Sequence, residues 1–290
     1  MARARSSSPT PVEDTGPLIP EPVAPARPAA ELAPTQLELP KSGGEPTPQP
    51  ETTQSPSHSG SWQEPEYRYE RKYTARGSLS EALAIVRHNP AHFREVYSPR
   101  SIQNIYLDTI DRTAFHTNVI GLDRRGKTRL RWYGDLFGTP KKLTLERKRR
   151  VSAVGTKESH LLQPFPIEPG FSLNSIRQAI DASDLPPAAR EHLAHHELAL
   201  LNRYQRRYFV SRDGKYRVTV DTDLEFWRLG QWENSLAAHV HDREAIVVEL
   251  KYASDLDDDA DRISRHFPFR LSRNSKYVAG LLATSSGLTV

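Results

Sequence analysis

The strongest constraint on the fold is a charge that returns every second residue in separate segments. Arg68, Glu70 and Lys72 stand in RYERKY, and Lys127, Arg129 and Arg131 in KTRLRWYG. Glu146, Lys148 and Arg150 stand in TLERKRR, and Glu249 and Lys251 in VVELKY. A β-strand turns successive side chains to opposite faces. Each segment therefore puts its charges on one face and mostly apolar or aromatic residues on the other. One such strand is an ordinary solvent-facing strand. Four, carrying both signs, predict a shared charged interior or groove, suited to a polyanion plus a divalent metal.

The 290 residues are unevenly composed, with thirteen prolines among the first sixty. Residues 1–62 lack any sustained period of 2 or 3.6 and cannot bury enough apolar surface to offset ordering entropy. They are read as a disordered, proline-rich tail, leaving 63–290 as one domain with a real core. The net charge is +4. The tail holds seven acidic and four basic residues, so the folded part carries +7, which favours anionic partners. The absence of cysteine excludes disulfides, thiolate metal sites and cysteine nucleophiles. No run of about 18 apolar residues predicts a membrane span, and no secretory signal is visible. A cytoplasmic location is the default expectation.

Along the chain, strands are expected at 67–73, 102–109, 113–120, 127–133 and 141–149, with GDLFGTP as a hairpin connection. Ser78 and Glu81 resemble a capping box for a helix over 79–88. Residues 156–168 carry no clear pattern. Residues 173–201 read as helical, with Ser172 or Asn174 as a cap and Pro186–Pro187 opening a second helix that runs to Leu201. Strands resume at 203–210, 215–222, 224–228 and 244–252. Short helices follow from Ser254 or Asp255 to His266 and over 275–283. This order predicts an α+β fold, a closed or nearly closed antiparallel β-barrel forming a charged tunnel with peripheral helices. Neither a dinucleotide fingerprint nor a P-loop is present.

Arg129 and Arg131 share a strand face, and paired guanidinium forks grip phosphate oxygens. The same segment also fits a basic solvent-facing strand. Glu146 could hold a metal or pair with Lys148 and neighbouring arginines. RVTVD puts Arg217, Thr219 and Asp221 on one face. Glu249 lies in an apolar run, where a carboxylate must be paired or bound to a cation. Arg206 adds a further phosphate clamp. His192 and His196 lack the glutamate of a zinc-protease helix, and His239 and His241 are expected in a loop.

RYERKY, NIYLDT, TRLRWYG, LERKRR, RYQRRYF, RVTVD, VVELKY and SRNSKY, spread over about 66–285, resemble the VTC domain. This is the polyphosphate polymerase branch of the triphosphate tunnel metalloenzyme superfamily. The resemblance implies a tunnel in which basic residues bind a triphosphate and acidic residues hold Mg²⁺ or Mn²⁺. It implies transfer of the ATP γ-phosphoryl group to a growing inorganic polyphosphate chain, with release of ADP. By matched motif, Lys72, Arg129, Arg131, Lys148, Arg206, Arg217, Lys251 and Lys276 are implied phosphate ligands. Arg129, Arg131, Lys148, Arg217, Glu249 and Lys276 form the implied catalytic set, Glu249 holding the metal. Glu70 and Glu146 are implied acidic wall residues. The first strand departs from the E-x-E-x-K of many small triphosphatases, because Arg68 stands at the first acidic position. That leans the reading from hydrolysis toward transfer. A triphosphatase and a non-catalytic polyanion-binding module are the alternatives. No nucleic-acid partner is expected, and a membrane partner is left open.

Overall fold

In the computed structural model, which describes residues 68–151 and 154–285, ten strands form one antiparallel sheet. The tail read at 1–62 lies outside the described residues. The strands are β1 (Arg68–Arg76), β2 (Arg94–Asp108), β3 (Arg124–Tyr133), β4 (Leu143–Val151) and β5 (Val154–Leu162), then β6 (Glu197–Val210), β7 (Arg217–Arg228), β8 (His239–Asp242), β9 (Ala245–Ala253) and β10 (Arg270–Leu271). The helices are α1 (Leu79–Arg87), α2 (Thr113–Val119), α3 (Leu173–Asp181), α4 (Pro187–Ala194), α5 (Asp257–Ser264) and α6 (Lys276–Thr284).

The hydrogen-bonded order is β10-β1-β9-β7-β6-β2-β3-β4-β5, with β8 on β7. β5 and β10 end the path without pairing to each other, so the expected barrel is not closed by its ladder. The sheet nevertheless curls. Glu70 and Lys72 of β1 act electrostatically on Lys148 of β4 and Lys127 of β3, across the enclosed space. We call that space the lumen.

Alternation assigns the two faces. Leu130 and Trp132 of β3 and Leu143 and Leu145 of β4 turn outward into a core with Ile176 of α3 and Leu193 of α4. Val218 and Val220 of β7 and Val248 and Leu250 of β9 turn outward against Ala82, Leu83 and Val86 of α1 and Ile263 of α5. Each fully buried aliphatic or aromatic side chain of these layers contributes about 1.5–3 kcal/mol. A third core, with Tyr106, Leu200, Phe226 and Val247 of the sheet, packs against Phe115 of α2 and Tyr277 and Leu281 of α6. Gly280 lets α6 seat closely, since a Cβ there would fall 2.4 Å from Phe226 and 2.5 Å from Leu200.

Several expectations are corrected. Where a strand was expected at 113–120, residues 113–119 form α2. The Asp108 carboxylate accepts from the backbone N–H of Ala114 at 2.9 Å and of Phe115 at 3.0 Å, satisfying donors that a helix start leaves open. The helix expected to reach Leu201 stops at Ala194. Residues 198–201 are buried on both strand faces, so ELALL shows no alternation although it is strand. The segment at 156–168 supplies β5. His239 and His241 lie on β8, not in a loop. β9 pairs with β7 only over Arg217–Asp221, and β8 completes the ladder at Leu224–Trp227. The capping box expected at Ser78 does not form, because the Ser78 hydroxyl lies 2.6 Å from that of Ser80. One forms instead between Ser172 and Ser175 at the start of α3.

Candidate functional site

The register carries one charged face across eight strands. Glu70 stands opposite Lys251, and Lys251 opposite Arg217. Lys72 faces Glu249, Glu249 faces Thr219, and Asp221 faces Arg206. On the other wall Asn104 pairs with Arg131, Arg129 with Glu146, and Lys127 with Lys148, which pairs in turn with Lys157. With Lys276 from the start of α6, the residues just named include ten cationic side chains and four carboxylates.

Two clusters organise the charges. Glu249 is buried and has Lys251 Nζ at 3.0 Å, Lys72 Nζ and Arg206 Nη2 each at 3.6 Å, and Lys276 Nζ at 4.0 Å. Burial raises its pKa, but the four cations outweigh burial and hold it well below the usual carboxylate range. Asp221 is fully buried beside it. Arg206 donates to Asp221 through Nε at 2.5 Å and Nη2 at 2.6 Å, and Lys276 Nζ lies at 2.5 Å. In the second cluster Arg129 donates to Glu146 through Nε at 2.8 Å and Nη2 at 2.5 Å, with Arg131 at 3.6 Å and Lys157 at 3.4 Å. Burial opposes the charge on Glu146, yet Arg129 and Arg131 hold its pKa below the ordinary range. Arg131 also donates to Asn104 Oδ1 at 2.8 Å and Tyr204 Oη at 3.1 Å.

Between these clusters lie cations lacking anions. Lys127 and Lys148 make no ion pair or hydrogen bond among the described residues. Enclosure by protein, then Lys72 and Arg129, push Lys127 down to about 7. Enclosure and Arg129 push Lys148 well below its ordinary value, although the residue itself is exposed. Two buried polar atoms on the same face are also unpartnered, Thr219 Oγ1 and Asn202 Nδ2. Such a wall is incomplete without an anion rich in acceptor oxygens.

The residues singled out in the sequence thus reach one lumen. Lys72, Arg206, Lys251, Lys276 and Glu249 form one cluster, Arg129, Arg131 and Glu146 the other, and Lys148 stands between. Glu70 is held by Lys72 and Lys251, each at 3.4 Å. Arg217 sits at the start of β7, level with Lys251. Lys127 and Asp221 were placed on charged strand faces in the sequence but given no role in the site, and Lys157, Asn104, Tyr106 and Tyr204 were not singled out. Alternation could have found Tyr204, two residues before Arg206. Arg207 turns outward and pairs with Glu95 at 3.0 Å. His192 hydrogen-bonds Thr128 at 2.8 Å, and burial lowers its pKa to about 4.

Glu249 alone does not make a resident metal site, since four cations crowd its single carboxylate. Mg²⁺ and Mn²⁺ favour few carboxylates together with phosphate oxygens, so the residues fit a metal that arrives with a phosphate ligand. Asp223, Glu225 and His241 do gather potential metal-ligand atoms within 4.8 Å of one another. They lie at β7 and β8, with Glu225 and His241 directly paired on the face opposite the lumen. His241 Nε2 lies 2.6 Å from Asp223.

No helix among the described residues is long and apolar enough to cross a membrane. No curated protein matches the chain in sequence. Among solved structures, the PH1819 protein of Pyrococcus horikoshii OT3 is similar at 13% identity and a TM-score of 0.40, covering 74% of this chain and 98% of its own. HpAC1 from Hippeastrum, described as having a dominant triphosphatase activity, is similar at 12% identity and a TM-score of 0.43, covering 76% of this chain and 98% of its own. The model of the VTC domain matches residues 67–285 and with the cationic lumen supports a triphosphate-related function. The chain belongs to the VTC domain family.

Proposed function

We propose that the chain is a metal-dependent polyphosphate polymerase, which transfers the γ-phosphoryl group of ATP to a growing inorganic polyphosphate chain and releases ADP. The observation that carries this reading is the surplus of cations in the lumen, above all Lys127 and Lys148, which make no ion pair among the described residues and feel Glu70 only at a distance. One triphosphate already binds several cations. A second phosphate chain beside it needs more, on an opposing wall.

Phosphoryl transfer asks a protein mainly for in-line positioning and for positive charge where oxygens become more negative. Arg206 and Lys276, fixed by Asp221, face one side of the bound phosphates, and Arg129 and Arg131 face the other. A terminal phosphate oxygen of the acceptor attacks the γ-phosphorus, the bond from γ-phosphorus to the β–γ bridging oxygen breaks, and that oxygen leaves with ADP. The acceptor oxygen is already ionised near neutral pH, so no strong general base is required. A Mn²⁺ or Mg²⁺ held by Glu249 and phosphate oxygens would supply further charge neutralisation. Lys72, Lys148, Arg217 and Lys251 would align the chains.

Incubating the full chain with ATP and Mn²⁺ and resolving products by length tests this. Polyphosphate longer than the input, with one ADP per added unit, is the expected result. Orthophosphate without chain growth would move the assignment to a triphosphatase. Tight binding of phosphate chains without turnover would leave a binding module.

A further inference from the structure

We propose that the lumen opens at one end into a nucleoside-binding mouth formed by Tyr97, Tyr133 and Tyr208 around Arg100, which seats the base and ribose of a nucleotide whose triphosphate enters the lumen. This rests on the reading that the lumen binds triphosphates.

The register carries the placement. Tyr97 is the partner of Tyr208 and Arg100 of Arg206 across β2 and β6, while Ile102 is the partner of Tyr133 across β2 and β3. Tyr208 and Tyr133 are each two residues beyond a lumen arginine, Arg206 and Arg131. All four side chains therefore share the charged face, about 6.5–7 Å per step along each strand from the phosphate clamps. Exposure separates them from the interior. Tyr97 is 49% and Tyr133 48% exposed, whereas the lumen tyrosines Tyr106 and Tyr204 are 4% and 1% exposed.

The local geometry suits stacking. Arg100 lies 4.6 Å from the Tyr97 ring centre and 5.5 Å from that of Tyr208, covering part of both rings. Tyr97 and Tyr208 meet edge to face at 5.7 Å. Arg100 has no carboxylate partner among the described residues, so its donors stay available to ribose or α-phosphate oxygens. β2 shifts register on both sides of Tyr97, and such bulges re-aim side chains. A bare phosphate chain gains nothing from an aromatic face, whereas a base stacks on one. Stacking on the rings is indifferent to which purine is bound, so adenine and guanine nucleotides bind alike.

The test measures binding of ATP, GTP and inorganic tripolyphosphate, each with Mg²⁺, to the full chain by calorimetry. Tyr97→Ala with Tyr133→Ala should weaken ATP and GTP roughly five- to hundredfold and leave tripolyphosphate within about twofold. Tyr97→Phe with Tyr133→Phe keeps both rings and should retain ATP affinity. The mouth is overturned if the alanine pair weakens tripolyphosphate as much as ATP, or weakens neither. Wild-type protein that binds tripolyphosphate but not ATP also overturns it. Binding of none of the three overturns the lumen reading as well.

Discussion

Asp221→Asn tests whether the lumen is held in shape by its own carboxylates. Asp221 is fully buried and holds Arg206 and Lys276 at 2.5–2.6 Å. The amide keeps the shape and one acceptor but removes the charge. Arg206 and Lys276 are then left with Glu249 alone, at 3.6 and 4.0 Å. Removing one partner of a buried charge cluster costs about 3–5 kcal/mol. For a domain of this size each kcal/mol lowers Tm by roughly 2–4 °C, so a drop of roughly 6–20 °C is expected. Urea unfolding in phosphate-free buffer reads the change directly as a lower midpoint at unchanged slope. The pH dependence adds a second readout. Burial raises the Asp221 pKa, but Arg206 and Lys276 outweigh it and hold it below its ordinary 3.8. Its contribution is therefore complete above that value and is lost as pH falls through the lower, folded value. Wild type and variant should differ by a constant amount at neutral pH and converge in acid. A loss below about 1 kcal/mol at neutral pH, or a gap unchanged into acid, would refute the reasoning.

Three further outcomes follow from the lumen. Because Lys127 sits near 7 and makes no ion pair among the described residues, bound triphosphate should raise its pKa, and Lys127 should take up a proton. Affinity should then fall as pH rises above 7, by up to about one log unit per pH unit beyond the ligand's own titration, and Lys127→Met should flatten that excess in calorimetry. Glu249→Gln should abolish the gain in tripolyphosphate affinity on adding Mn²⁺ while leaving metal-free binding as tight or tighter, since a competing carboxylate is gone; manganese relaxation measurements with and without ligand separate these. Gly280→Ala puts a methyl within 2.5 Å of Phe226 and Leu200, should cost about 1–3 kcal/mol by thermal unfolding, and should weaken tripolyphosphate by moving Lys276 off Asp221.

The charged strands were legible because alternation survives wherever one face is wet and the other dry. β1, β3, β4 and β9 are read correctly for that reason. Legibility failed where both faces are dry. Residues 198–201 are buried on both sides and look like a helix because their pattern is continuous. It failed again where side chains just upstream cap a helix. TAFHTNV is β-like by composition, but Asp108, Thr109 and Asp111 accept from the first backbone N–H groups of α2. His239 and His241 become strand because β7 outruns β9 and needs a partner. The site's members were visible as types, but their pairing was not. Which cation neutralises Glu249 and which is left over depends on how far the sheet curls.

That curl has a consequence for how the molecule responds to its ligand. The ladder leaves a seam between β5 and β10, and the walls that approach across the lumen are mostly of one sign. An empty lumen pushes its own walls apart. A polyanion reverses the sign of that force and acts as a removable keel, drawing in β3 and β4 on one side and β1 and β9 on the other. Amide hydrogen exchange in β5 and β10 should slow when tripolyphosphate binds, although neither strand needs to touch it.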